Sequence, residues 1–197
     1  MAVPYPTAAR ELLRNTLLDA MRELMRERPW GEVSMADVAS VAGVSRQTLY
    51  KEFGSRQDFA QAFVLREADR FLGDVEQALG AHAHDPGEAL SAALEVFLRA
   101  AADDPFVRMI TSGDGDGELL PLLTVRGEPL FVHATERLTS VLVAQWPRVR
   151  EHDARRLADC VVRLAVSYAA SPAGAPEVTA AETSRLLEPF VRQAVGS

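Results

Sequence analysis

The chain has 197 residues, of which 48% are hydrophobic and 25% charged, with a formal net charge of -7. This balance excludes a disordered or collagen-like chain, and no apolar run reaches the roughly 18 residues that a membrane span needs. A single cysteine, Cys160, excludes an internal disulfide and so any demand for an oxidising compartment. Residues Met1 to Pro6 have neither the basic start nor the apolar core of a signal peptide, so the expected location is the cytoplasm. The acidic excess is uneven. Residues 1–56 hold eight Lys/Arg against seven Asp/Glu, whereas the rest hold thirteen against twenty-one. A small nucleic-acid-facing part attached to an acidic body is the reading this asymmetry suggests.

The punctuation divides the chain into helix-sized pieces without strand alternation. Thr7 is placed to cap a first helix running to Arg28, with Leu13, Leu17, Ala20, Met21 and Leu24 on one face. After a turn at Trp30-Gly31, Ser34 with Asp37 three residues on predicts the capped start of a short second helix. Ser45 opens a third, ending near Phe53-Gly54. Ser55 with Asp58 opens a long fourth, whose Phe59, Phe63, Ala68, Phe71, Val75 and Leu79 form an apolar face. Asp85-Pro86 and Asp104-Pro105 are helix starts with Pro in the first turn. Beyond the Gly/Asp stretch from Ser112 to Gly117, the pattern predicts a short helix from Glu118 and longer ones at about Pro129–Trp146 and Glu151–Ala170. Thr179 with Glu182 is expected to cap the last, which runs towards Val195. The fold class is all-α, with roughly nine helices.

The stretch from Met35 to Phe53 is the informative one. Two short helices crossing closely need a small residue at the crossing, here Ala39, and a residue tolerant of positive φ in the turn, here Gly43. Val38, Val44 and Leu49 seal the angle. This is a helix-turn-helix pattern, whose second helix would enter the DNA major groove by its N-terminal end. Arg46, Gln47 and Thr48 then stand nearest the base edges, where Arg suits guanine and Gln suits adenine. Ser34, Ser45, Tyr50 and Lys51 are placed for phosphates, and Lys51 is the sole lysine of the chain.

Here the sequence resembles the TetR family of bacterial transcriptional regulators. The resemblance rests on Ser34 to Ala39, on Ala42 to Phe53 and on Gly54 to Phe59. Two positions depart from it: Gln47 stands where many members carry Gly or Pro, and Glu52 where His is common. The resemblance implies a helix-turn-helix domain over residues 1–54 and a larger helical ligand-sensing and dimerisation domain over 55–197. It implies a homodimer built from the last two helices, with Leu157, Cys160, Val161, Leu164, Leu186, Leu187, Phe190 and Val191 at the contact. Two recognition helices about 34–36 Å apart would then read a pseudo-palindromic operator. It also implies a cavity among the middle helices for a small effector that releases the DNA, and the apolar majority of the candidate lining points to a hydrophobic or amphipathic one. Candidate lining residues are Phe97, Phe106, Met109, Ile110, Leu123, Phe131 and Trp146, with His133, Arg163 and Tyr168 as polar members.

Blander readings compete at several points. Each apolar candidate could be plain core, and the arginines could be solvated or ion-paired. His82 and His84 read as an exposed linker rather than metal ligands, and Asp114, Asp116 and Glu118 as an acidic loop rather than a calcium site. Cys160, on an apolar helical face, is expected to be a buried structural thiol. No cofactor or metal is expected. The alternatives are a DNA-binding regulator that answers to no small molecule, and an enzyme. The second lacks any nucleophile elbow, Walker loop, dinucleotide fingerprint or zinc-ligand pair.

Overall fold

A computed structural model describes residues 5–104, 118–123 and 126–195. Among these the protein is all-helical: α1 (Tyr5–Leu24), α2 (Met35–Val41), α3 (Arg46–Phe53), α4 (Arg56–Ala81), α5 (Pro86–Asp103), α6 (Leu120–Leu123), α7 (Glu128–Gln145), α8 (Glu151–Ala170) and α9 (Pro176–Val195), with one 3-10 turn at Trp30–Glu32.

The starts obey local chemistry. Ser34 caps α2 in a full capping box: its hydroxyl accepts from the Asp37 N–H, and Asp37 Oδ2 accepts from the Ser34 N–H at 2.9 Å. The Ser34 side chain and backbone together hold the Asp37 carboxyl below its ordinary range. Ser45 caps α3, Ser55 caps α4 and Asp85 caps α5. The last helix departs from expectation. It begins at Pro176, so Thr179 is a buried residue inside the first turn rather than its cap. Pro176 supplies a pre-set φ and no N–H to satisfy, and the Ala175 carbonyl accepts from Val178 and Thr179.

Two clusters of buried side chains organise the molecule. The head cluster combines Leu17 and Met21 of α1, Trp30, Val38, Leu49 and Phe53 with Phe59 and Phe63 of α4. Trp30 stacks on Phe59 and tilts against Phe63, and Phe53 meets Phe59 edge-on. Leu119, Leu122 and Leu130 join it from beyond the expected division at residue 54. The body cluster contains the rest of α4 with α5, α7, α8 and α9. α4 therefore belongs to both cores, and it is the mechanical link between them. α5 packs between α4 and α9, and α7 between α4 and α8.

Candidate DNA interface and ligand cavity

The helix-turn-helix is built as its sequence requires. Ala39 and Leu49 are buried at the crossing, Val38 is fully enclosed, and Gly43 takes φ 69° in the turn. On α3, Arg46, Gln47 and Lys51 are exposed while Leu49 and Phe53 face inward. The Arg46 guanidinium lies 5.3 Å from the Tyr50 ring centroid, a cation–π contact one turn along the helix. Tyr50 thus packs and positions, its ring half-buried against the head core. Thr48 is half-buried, with its hydroxyl 2.8 Å from Ser45 Oγ. The hydroxyls of Ser34 and Ser45 are engaged as caps in this structure.

Glu52 would place a negative charge on the recognition helix were it not turned towards α1. There it accepts from Arg10 and Arg14, each at 2.9 Å. Burial alone would raise this carboxyl, but the two arginine hydrogen bonds outweigh it and hold it below its ordinary value. Arg14 also lies over the Phe53 ring. The head is tied to the body by Glu118, whose Oε2 accepts from Trp30 Nε1 at 2.6 Å and from Arg56 Nε at 2.9 Å. Arg56 donates further to the Val33 and Trp30 carbonyls, fastening α4 to the turn before α2.

Within the body lies a cavity of about 160 Å³. Its walls are Val64, Glu67, Ala68, Phe71, Leu72, Val75 and Leu79 of α4, Leu90, Ala93, Leu94 and Phe97 of α5, Leu130, Ala134, Leu138 and Leu142 of α7, and the inner face of α8 from Leu157 to Ala170. Of the expected lining residues, Phe97 is one of these wall residues. Phe131 packs outside, under the Arg163 guanidinium at 5.0 Å. Arg163 is exposed and paired with Asp159 at 3.0 Å, so its place is the surface. Trp146 donates to the Ala83 carbonyl at the far end of the body, and Tyr168 packs at the margin of the body core. His133 is taken up by Asp69 at 2.7 Å, in a strap between α4 and α7 that Arg137 completes through Asp69 and Glu76. Phe106, Met109, Ile110, Asp114, Asp116 and the side chain of Leu123 lie outside the described residues.

One charged wall residue escaped the sequence reading. Glu67 falls on the apolar face of α4, three residues after Val64 and four before Phe71, and a charge on such a face was the available signal. Among the expected interface residues, Leu157 and Val161 point into the cavity, and Val191 is buried in the protomer's own core. Cys160 is exposed, contrary to the expectation of a buried thiol, because it sits on the outer side of α8. His82 and His84 lie 3.4 and 3.8 Å from Glu88, beside the first turn of α5.

A helix-turn-helix head joined by one continuous helix to a helical body with an apolar cavity defines a DNA-binding transcriptional regulator. Comparison with known proteins agrees. Residues 17–63 match the family "Bacterial regulatory proteins, tetR family", and residues 85–189 match "Bacterial Tetracyclin repressor, C-terminal domain". The HTH-type transcriptional regulator AlkX of Mycobacterium tuberculosis is 39% identical over 191 residues, which cover 97% of this chain and 90% of the relative. The crystal structure of the TetR family repressor AlkX from a Dietzia strain, implicated in biodegradation of n-alkanes, superposes with a TM-score of 0.83. It is 35% identical, and the match covers 92% of this chain and 96% of that one. A TetR-family regulator from Streptomyces coelicolor shares the fold at TM-score 0.60 and 24% identity, over 92% of this chain and 99% of its own. The chain belongs to the TetR family of bacterial transcriptional regulators, a family of regulators and not of enzymes.

Proposed function

We propose that the protein is a cytoplasmic, ligand-responsive repressor that binds a pseudo-palindromic operator as a homodimer and is released by a small hydrophobic molecule. The observation that carries this reading is the cavity, walled by α4, α5, α7 and α8 and, among the described residues, lined almost wholly by apolar side chains. An apolar cavity of about 160 Å³ suits a small ligand of matching chemistry. α4 supplies its longest wall and also the Phe59 and Phe63 of the head core, so a ligand seated against α4 acts on the placement of α3. A ligand that favours one placement shifts the population away from the DNA-competent one. The 35% identical Dietzia protein is described as a repressor, which supports repression over activation.

In this reading Arg46 and Gln47 read bases, with Thr48 beside them at the head of α3. Lys51 contacts phosphate, Tyr50 steadies Arg46, and Ser34 and Ser45 present the capped helix N-termini to the backbone. The dimer contact uses the outer sides of α8 and α9. Leu186 is 79% exposed and Val178 51% exposed, about two turns apart on α9, and Cys160 and Leu164 follow one another on α8. Leu187 and Phe190, half-buried on α9, extend the same surface.

Fluorescence anisotropy with DNA from just upstream of the protein's own gene, against shuffled DNA at several salt concentrations, tests the reading. The expected result is sequence-selective binding that falls with salt. Equal, weak binding to both DNAs, repeated against a randomised pool that yields no selected site, would overturn it. A protein that binds DNA selectively but whose melting point no hydrophobic compound raises would be a regulator without a ligand.

A further inference from the structure

Among the described residues, the cavity lining is apolar save for one side chain. Glu67 stands among Val64, Ala68 and Phe71 and is 2% exposed. Its Oε2 accepts from Arg22 of α1, and Arg22 lies 4.0 Å from Asp104 as well. Its Oε1 is buried and, among the described residues, accepts no hydrogen bond. Arg70 Nε stands 3.7 Å from that oxygen, outside hydrogen-bond range, and Arg70 donates instead to Asp19 at 3.0 Å. A carboxylate oxygen left without a donor in apolar surroundings is unfavourable. Among the described residues the other buried oxygen without a partner, Thr135 Oγ1, belongs to a residue that does not line the cavity.

We infer that Glu67 Oε1 receives the hydroxyl end of the effector, and that the effector is a linear aliphatic alcohol lying along α4. This rests on the proposal that the cavity senses a ligand. The wall that α4 supplies runs from Val64 to Leu79, roughly 22 Å of helix axis, which suits an extended chain better than a globular one. Glu67 lies in its head-proximal part. An alkane would fill the void and leave Oε1 unpaired. An aliphatic carboxylate would bring a second negative charge and no donor to it. An alkylammonium would bury a positive charge where Arg22 and Arg70 already balance Glu67. A hydroxyl supplies one donor and no charge. One carboxylate then holds the DNA-binding head through Arg22 and the ligand through its other oxygen, so occupancy is felt at the α1–α4 junction.

The test uses the full-length protein with four ligand series, alcohol, alkane, carboxylate and amine, each from hexyl to dodecyl. Relative affinities come from melting shifts and from release of operator DNA. At the best chain length the alcohol is expected to bind about tenfold or more tighter than the alkane and the carboxylate, the worth of a hydrogen bond to a charged group. Glu67→Leu should erase the alcohol-over-alkane preference. Glu67→Gln should turn selectivity towards the carboxylate, because its amide N–H donates. An alkane, carboxylate or amine that matches the alcohol on the wild-type protein overturns the inference, as does a folded Glu67→Leu that keeps the preference. If all four series bind alike, the cavity senses ligands but Glu67 does not select them. If none binds at any length, the sensing proposal falls as well.

Discussion

Ala134 lies in the middle of α7, buried, with its methyl group in the cavity wall. Changing it to leucine adds three carbons on the side where space exists. Three buried carbons at about 0.8 kcal/mol each set a ceiling near 2.4 kcal/mol, and imperfect fit lowers the net gain to about 1–2 kcal/mol. For a chain of this size that is a rise in Tm of roughly 2–8 °C. The same three carbons occupy the ligand's place, so hydrophobic effectors should bind at least about tenfold more weakly. Operator affinity without ligand should not rise, since carbons that fill the cavity press on α4 as a ligand would. Scanning calorimetry and operator anisotropy across an effector titration measure the three quantities. A variant that melts lower while releasing DNA at the wild-type effector concentration would refute the assignment of this cavity as the sensor.

Arg46→Ala and Gln47→Ala should each weaken operator binding by about 1–3 kcal/mol and random DNA far less, whereas Lys51→Ala should weaken both and lower the salt slope by about 1, measured by anisotropy over a salt series. Leu186→Glu, with a side chain 79% exposed in the protomer, should leave the fold intact and give monomers in sedimentation; an unchanged dimer mass would place the interface elsewhere. Because the Glu52 carboxyl is held below its ordinary 4.5, the stabilisation it gives is complete above that value and is lost as pH falls through the lowered one. Urea titrations from neutral pH down to about 3 should therefore show an acid limb that Glu52→Gln flattens.

The DNA-binding head was legible because its determinants are local. Ser34 with Asp37, Gly43, Ser45 and Ser55 with Asp58 each announce a turn or a helix start within three residues, and each occupies that place in the fold. The cavity was not legible, because an apolar residue on an amphipathic helix looks the same whether it faces a neighbour or a void. Leu138 and Val162 line the cavity, while Phe131, equally hydrophobic, does not. Polar residues failed for a related reason. Nothing near His133 in the chain says that its partner is Asp69, 64 residues earlier on α4. The same non-locality turned Leu157 and Val161 inward: the stripe on α8 was visible, but which side met the cavity depended on α4, α5 and α7. Thr179 failed differently, because Pro176 starts α9 one turn before the threonine that matches a capping pattern.

The two tryptophans occupy the ends of this arrangement. Trp30 is stacked at the junction of head and body, its indole held by the Glu118 carboxylate and overlain by Arg56. Trp146 is anchored to the Ala83 carbonyl just beyond the far end of α4. Indole emission responds to nearby charge and hydration, so α4 runs between two built-in optical reporters. Replacing Trp146 by phenylalanine leaves a single emitter at the junction. Its spectrum then follows the head's attachment to the body in real time, with no label added and no DNA present.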